Sequence, residues 1–154
     1  MLAALFGAGC TAQTKASRAA PANREIAVVV DSGSTNTLGF RVEVERSGAV
    51  RYTPQGRARE ETGEQPGAQA APHTVPAALA RRLFDDLAKA RPLRALPARP
   101  CIKSASFGST LTIEYRGETT PDLSCGGGAD PRMQALARDA QEVAAGFRRP
   151  RHPL

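Results

Sequence analysis

Residues 38 to 46 read "LGFRVEVER", and their strict alternation constrains the fold more than any other feature of the chain. Phe40, Val42 and Val44 share one face, and Arg41, Glu43 and Glu45 share the other. A repeat of two residues belongs to an extended strand, here with one face buried and one in water. A sheet covered on a single face is an antiparallel one, because parallel crossovers cover both faces. Ser47-Gly48 supply a tight hairpin turn, and "AVRYTP" returns as a second strand that Pro54 ends. Upstream, "EIAVVV" (25 to 30) reads as a further strand that runs into the turn-rich "DSGSTNT".

Residues 55 to 73, "QGRAREETGEQPGAQAAPH", have no apolar period and read as a flexible surface insert. The period then changes from two to that of a helix. Thr74 is the predicted cap, with Pro76 in the first turn. Leu79, Leu83 and Leu87 form one stripe with Phe84 beside it, while Arg81, Arg82, Asp85, Asp86 and Lys89 take the other face. Asp85 and Lys89 stand at i, i+4, a supporting pair, and Pro92 closes the segment. The second half repeats the first. In "SFGSTLTIEYRG", Leu111, Ile113 and Tyr115 face one way and Thr110, Thr112 and Glu114 the other. "TTPDLSC" is predicted as a shorter, Pro-limited strand and "CGGGAD" as a flexible link. Asp130 caps a last helix with Pro131 at its first position, and Met133, Leu136, Ala140, Val143 and Phe147 form its buried face. The expected fold is α+β: an antiparallel sheet of four to five strands with two helices on one face, in the order strands, helix, strands, helix. It occupies residues 25 to 147, followed by a disordered basic tail at 148 to 154.

With 154 residues, 41% hydrophobic and 5% aromatic and no Trp, the core is built mainly from Val, Leu, Ile and Ala. The formal charge of +6 rests almost wholly on arginine, since only Lys15, Lys89 and Lys103 are lysines. A nucleic-acid surface clusters its basic residues and interleaves aromatics. Here the arginines are scattered, so the charge reads as a solvated surface and no nucleic acid is expected as partner. His73 and His152 lie in insert and tail sequence and no cysteine pair has a CxxC spacing, so neither a metal nor a cofactor is expected.

The N-terminus, "MLAALFGAGCTAQTKASRAAPANRE", opens with an apolar run too short to cross a bilayer. Gly7, Ala8 and Gly9 precede Cys10. This resembles a bacterial lipoprotein signal, which implies lipidation at Cys10, a tether to residue 24, and a periplasmic, envelope-anchored or secreted protein whose membrane contact is that anchor alone. The plainer alternative is a disordered cytosolic leader. In an oxidising compartment Cys101 and Cys125 would pair as a disulfide; otherwise they are two buried thiols.

"AVVVDSGSTNTLGF" invites catalytic readings. Asp-Ser-Gly-Ser-Thr after an apolar strand resembles the motif of pepsin-like proteases, but that chemistry needs two aspartates and an all-β lobe. It also resembles the phosphate hairpin of actin-like ATPases, where glycine admits phosphate to backbone N–H groups. That fold needs a second such loop, and none follows an apolar strand here. No Ser is matched with a His in ordered sequence, so no catalytic residue is assigned. Ser, Gly, Thr and Asn also simply make a strand connection. Two Gly-Ser-Thr stretches, at 33 to 35 and 108 to 110, fall in corresponding places and predict two hydroxyl-rich loops at one sheet edge. The candidate binding residues are Ser32, Gly33, Ser34, Thr35 and Asn36 in one loop, with Lys103, Ser106, Gly108, Ser109 and Thr110 in the other.

Together "SGSTNTLGF", "CIKSASFGST" and "TTPDLSC" resemble an uncharacterised group of small exported bacterial domains, over residues 26 to 145. The resemblance implies export and carries over no catalytic residue. The hairpin, helix, hairpin order is also similar to emfourin, a small inhibitor of thermolysin-like metalloproteases, which implies a protein partner such as a protease. The expected function is thus a non-enzymatic binding module. The alternative is a hydrolase or phosphate-binding fragment that uses Asp31, Ser32, Gly33, Ser34 and Thr35.

Overall fold

The computed structural model describes residues 24–35, 37–55, 74–98, 100–104 and 108–148. The expected leader with Cys10, the insert from residue 56 to 73, Asn36, Ser106 and the tail from residue 149 lie outside them. The elements are β1 (Ile26–Asp31), β2 (Gly39–Glu45), β3 (Val50–Gln55), α1 (Ala77–Ala90), a single 3-10 turn (Leu93–Ala95), β4 (Leu111–Tyr115), β5 (Glu118–Thr119) and α2 (Pro131–Ala145). The five strands form one sheet in the order β3-β2-β1-β4-β5, with every neighbour antiparallel. Both helices cover one face, so the architecture is the predicted α+β sandwich.

The alternation places the core. Ala27 and Val29 from β1, Phe40, Val42 and Val44 from β2, and Leu111, Ile113 and Tyr115 from β4 are all buried under the helices. From α1 come Leu79, Leu83, Phe84 and Leu87; from α2 come Met133, Leu136, Ala140 and Val143, with Phe147 just beyond its end. Each large aliphatic or aromatic side chain so buried contributes about 1.5–3 kcal/mol. β1 is central because its run of five apolar residues suits a strand with neighbours on both sides.

Between the helices lies a charge. Asp139 of α2 is fully buried, and its Oδ1 accepts from Arg82 Nε at 2.8 Å and Arg138 Nε at 3.0 Å. Arg138 also reaches Asp86 of α1 at 3.1 Å. A buried carboxylate is tolerated when cations and hydrogen bonds surround it, so this cluster pins α1 to α2. The Arg82 guanidinium is held above its ordinary pKa by its hydrogen bonds to Asp139 and Glu142.

Four local expectations are corrected. Pro54 does not end β3, which continues to Gln55. The strand lies at the sheet's edge, where a missing N–H is tolerated. Thr74 does not cap α1: it forms an antiparallel bridge with Ala49, and Val75 N–H donates to Gly48 O at 3.0 Å. The chain is thus still paired to the hairpin when it reaches Pro76, which becomes the N-cap without a side-chain hydrogen bond. Lys89 pairs with Asp86 at 3.1 Å rather than with Asp85, which turns to Arg46 in the β2–β3 turn. Asp130 does cap α2, accepting from the N–H groups of Arg132 and Met133. Its hydrogen bond with the Arg132 guanidinium, helped by those amides, lowers its pKa to about 2.

Finally, "TTPDLSC" is not a strand along its length. β5 is only Glu118–Thr119, because Pro121 cannot continue the ladder. Side chains replace it. Thr120 Oγ1 accepts from Ile113 N–H at 3.0 Å, and Asp122 Oδ1 accepts from Leu111 N–H at 3.1 Å. In return, Thr120 N–H donates to Ile113 O at 3.0 Å and Leu123 N–H to Leu111 O at 2.7 Å. The outer edge of β4 is therefore satisfied along its length.

Candidate functional site

The two Gly-Ser-Thr stretches meet. β1 ends at Asp31 opposite Leu111, the first residue of β4, and the ladder runs one step further. Ser32 N–H donates to Thr110 O at 3.0 Å, and Thr110 N–H donates to Ser32 Oγ at 2.8 Å. The β1–β2 loop and the loop entering β4 are thereby joined into one end of the sheet. Ser32, Thr35, Ser104 and Thr110 are exposed there, with Gly33, Ser34, Lys103, Gly108 and Ser109 partly covered.

The first loop is built around its carboxylate. Residues 27, 29 and 31 share the inward face, so Asp31 points into the protein and is only 2% exposed. Its Oδ1 accepts from Gly33 N–H at 2.9 Å, an Asx turn, and its Oδ2 accepts from Arg148 Nε at 3.0 Å. Arg148 follows α2, and its own N–H donates to Ala144 O at 3.0 Å. It belongs to the folded unit and not to a disordered tail. Gly33 has φ +69°, and a Cβ there would sit 2.4 Å from Gly39 N. The glycine of the Asp-x-Gly motif makes room for the protein's own backbone. Ser34 N–H donates to Thr37 O at 3.0 Å, and the two hydroxyls stand 2.9 Å apart. Asn36 lies outside the described residues.

The second loop is closed by two ties. Cys101 and Cys125 form a disulfide, their Cα atoms 6.1 Å apart. Lys103 turns inward, and its ammonium donates to Ser109 O and to Asp122 Oδ2. Asp122 Oδ1 also accepts from the N–H groups of Leu111 and Ser124. Burial pushes the Asp122 carboxyl up, but the Lys103 bond and the two amides outweigh it and hold the pKa below its ordinary value. Gly108 sits where a Cβ would meet Lys103 Cβ at 2.6 Å, and its N–H donates to Ser104 O at 2.8 Å. Lys103 is therefore the clasp of this loop, linking its start, its finish and the chain after β5. Exposure alternates from 101 to 104: Cys101 and Lys103 are half-buried, while Ile102 and Ser104 are exposed. Ile102 is 102% exposed, as open as in an extended peptide.

Sequence reasoning found the two loops and missed three residues that shape them. Asp122 carried a signal, because an Asp after Pro121 is a turn former with a side-chain acceptor. Arg148 and Ile102 carried none: a basic residue after a helix and an aliphatic one in a loop are common.

Elsewhere, a shallow depression of about 280 Å³ lies on the sheet face away from the helices, at the opposite end, lined by Ile26, Val28, Glu114 and the Arg116-Gly117 turn among others. Beside it, Tyr115 donates its hydroxyl to Glu25, and this bond leads the lowering of the Glu25 pKa. Among the described residues no three His, Cys, Asp or Glu side chains gather as metal ligands, and no helix is long and apolar enough to cross a membrane. No protein-family model, curated protein or solved structure matches the chain.

Proposed function

We propose that this chain is an exported, non-enzymatic binding module that takes hold of a protein partner through the joined loops at the Ser32–Thr110 end of its sheet. The observation that carries the reading is the pair of hydrogen bonds between Ser32 and Thr110. It fixes two loops against each other before any partner arrives, which reduces the ordering cost of association. Export is supported by the Cys101–Cys125 disulfide, a bond that persists in oxidising compartments. A lipid on Cys10 would hold the module at the envelope.

The competing reading, a hydrolase or phosphate-binding fragment centred on Asp31, has less support. Its carboxylate is buried and both oxygens are occupied, one by Gly33 N–H and one by Arg148. The space that a phosphate would need at Gly33 is filled by Gly39.

The test uses the full oxidised chain immobilised as bait, beside a bait carrying Thr35→Arg and Thr110→Arg. Both threonines are exposed, so two arginines there alter the surface and leave the core intact. Envelope and culture-medium extracts are passed over each. A protein retained by the first bait and lost from the second supports the module. Equal retention by both removes the loop end as the interface.

A further inference from the structure

We infer that the Cys101–Cys125 pair is a reversible thiol-exchange site, at which a low-molecular-weight thiol joins to Cys125 while Cys101 stays in place to expel it. The inference stands apart from the binding-module reading, since it concerns the disulfide and not the partner.

Three observations converge on the pair. First, its two halves are unequally guarded. Cys125 is exposed, while Cys101 is half-buried. Attack by an outside thiolate depends on access, so Cys125 is the half it meets. Second, there is room beside it. A Cβ added to Gly126 would meet no atom within 4 Å. Gly126, Gly127 and Gly128 all have positive φ, and the turn they make is fixed on its far side. Gly127 lies against the backbone of Met133 and Gln134, and Gly128 O accepts from Gln134 Nε2 at 2.6 Å. The turn is thus filled on the α2 side and open next to Cys125. Third, other ties join the same two segments. Lys103, two residues after Cys101, donates to Asp122, three residues before Cys125. Asp122 Oδ1 accepts from the N–H groups of Leu111 and Ser124, and Leu123 N–H donates to Leu111 O at 2.7 Å. When the sulfur bond opens, these ties keep the two cysteines side by side.

The chemistry follows from this placement. The outside thiolate attacks Cys125 Sγ, the S–S bond breaks, and its electron pair leaves on Cys101 as a thiolate. The Ser124 hydroxyl stands 4.0 Å from Cys101 Sγ and is placed to donate to that charge. The product is a mixed disulfide at Cys125. The Cys101 thiolate then attacks Cys125 Sγ in return, which restores the protein disulfide and releases the outside thiolate. No net oxidation occurs, so the cycle needs no oxidant. A second thiolate that attacks the adduct's own outer sulfur releases Cys125 as a thiolate instead. Two electrons then pass to the protein, and the two outside thiols leave as their disulfide. A purely structural disulfide differs from such a site, because it opens only when the fold does.

The experiment incubates the full oxidised chain with reduced glutathione, stops the reaction by alkylation, and locates each label by peptide mass. The expected result is glutathione on Cys125 and the alkyl group on Cys101. Below the unfolding transition the exchange rate should change less than about 3-fold with urea, because the native state itself reacts. Asp122→Asn and Lys103→Met break the same clasp from its two sides. Each should let the adduct accumulate at least about 10-fold more, since Cys101 loses effective concentration against it. Glutathione on Cys101, or equally on both, overturns the assignment. A rate that climbs with urea in step with the unfolded fraction overturns the inference and leaves the disulfide a structural bond. Accumulation unchanged in both clasp variants overturns the return attack by a Cys101 held in place. Cys101→Ser removes that attack altogether and should retain an adduct formed from oxidised glutathione on the folded chain; none there also overturns the site. The two-bait capture decides the module separately.

Discussion

Asp31 is the residue whose role changes most between sequence and structure. Read as a motif, Asp-Ser-Gly-Ser-Thr suggests one carboxylate of a pepsin-like pair or a phosphate loop. The strand period already turns it inward with Ala27 and Val29, so its burial was legible; its partner Arg148, 117 positions away, was not. Removing one member of a buried ion pair leaves the other desolvated without compensation. Arg148 is 38% exposed, so water softens the loss. Arg148→Ala should cost about 2 kcal/mol in urea unfolding, below the ~3–5 kcal/mol of a fully buried pair. Asp31→Leu combined with Arg148→Met should recover most of that loss. A single Arg148→Ala that leaves the midpoint unchanged would show the pair to be ornamental. Gly33→Ala places a methyl against Gly39 N at positive φ, and should cost more than about 1 kcal/mol.

The elements were legible wherever a period held for several residues. β1, β2, β4 and both helices follow from apolar spacing, and the Asp130-Pro131 start of α2 from capping chemistry. The misreadings fall at boundaries, where tertiary pairing outweighs local preference. Thr74 is a good cap by type, but the hairpin claims it first. "TTPDLSC" has strand-forming residues, but Pro121 converts it into a run whose side chains do the pairing. Thr120→Val keeps the shape of a buried side chain and removes the acceptor for Ile113 N–H. It should cost about 1–3 kcal/mol, the penalty of an unsatisfied buried donor, and should speed amide exchange at Ile113. The Asp122 clasp predicts a pH dependence. Its folded pKa lies below the value of 3.8 expected in an unfolded chain, so the clasp stabilises above about pH 4 and fades as the pH falls beneath it. Between pH 6 and pH 3 the wild type should therefore lose more stability than Asp122→Asn. Equal losses would assign the acid sensitivity to other carboxylates.

In the molecule as a whole, one sheet face is covered by helices and the two hydroxyl loops meet at one end. That end is held by a disulfide between the segment before β4 and the segment before α2. Closing a loop of 24 residues is worth about 3 kcal/mol in the chain-entropy model. Cys101→Ser with Cys125→Ser should lower stability by that amount in calorimetry, and reducing agent should do the same to the wild type. The site was half legible: the two hydroxyl loops show in the sequence, but their junction does not, because Ser32 and Thr110 meet only after β4 inserts beside β1.

The side-chain pairing beyond β4 carries a consequence for crowded solutions. A sheet polymerises when a bare strand rim offers donors and acceptors to another copy. On this side Thr120 and Asp122 already use them, and the two-residue β5 is too short to template a neighbour. Fibre growth from that rim is blocked within the monomer itself, and two side-chain oxygens supply the block.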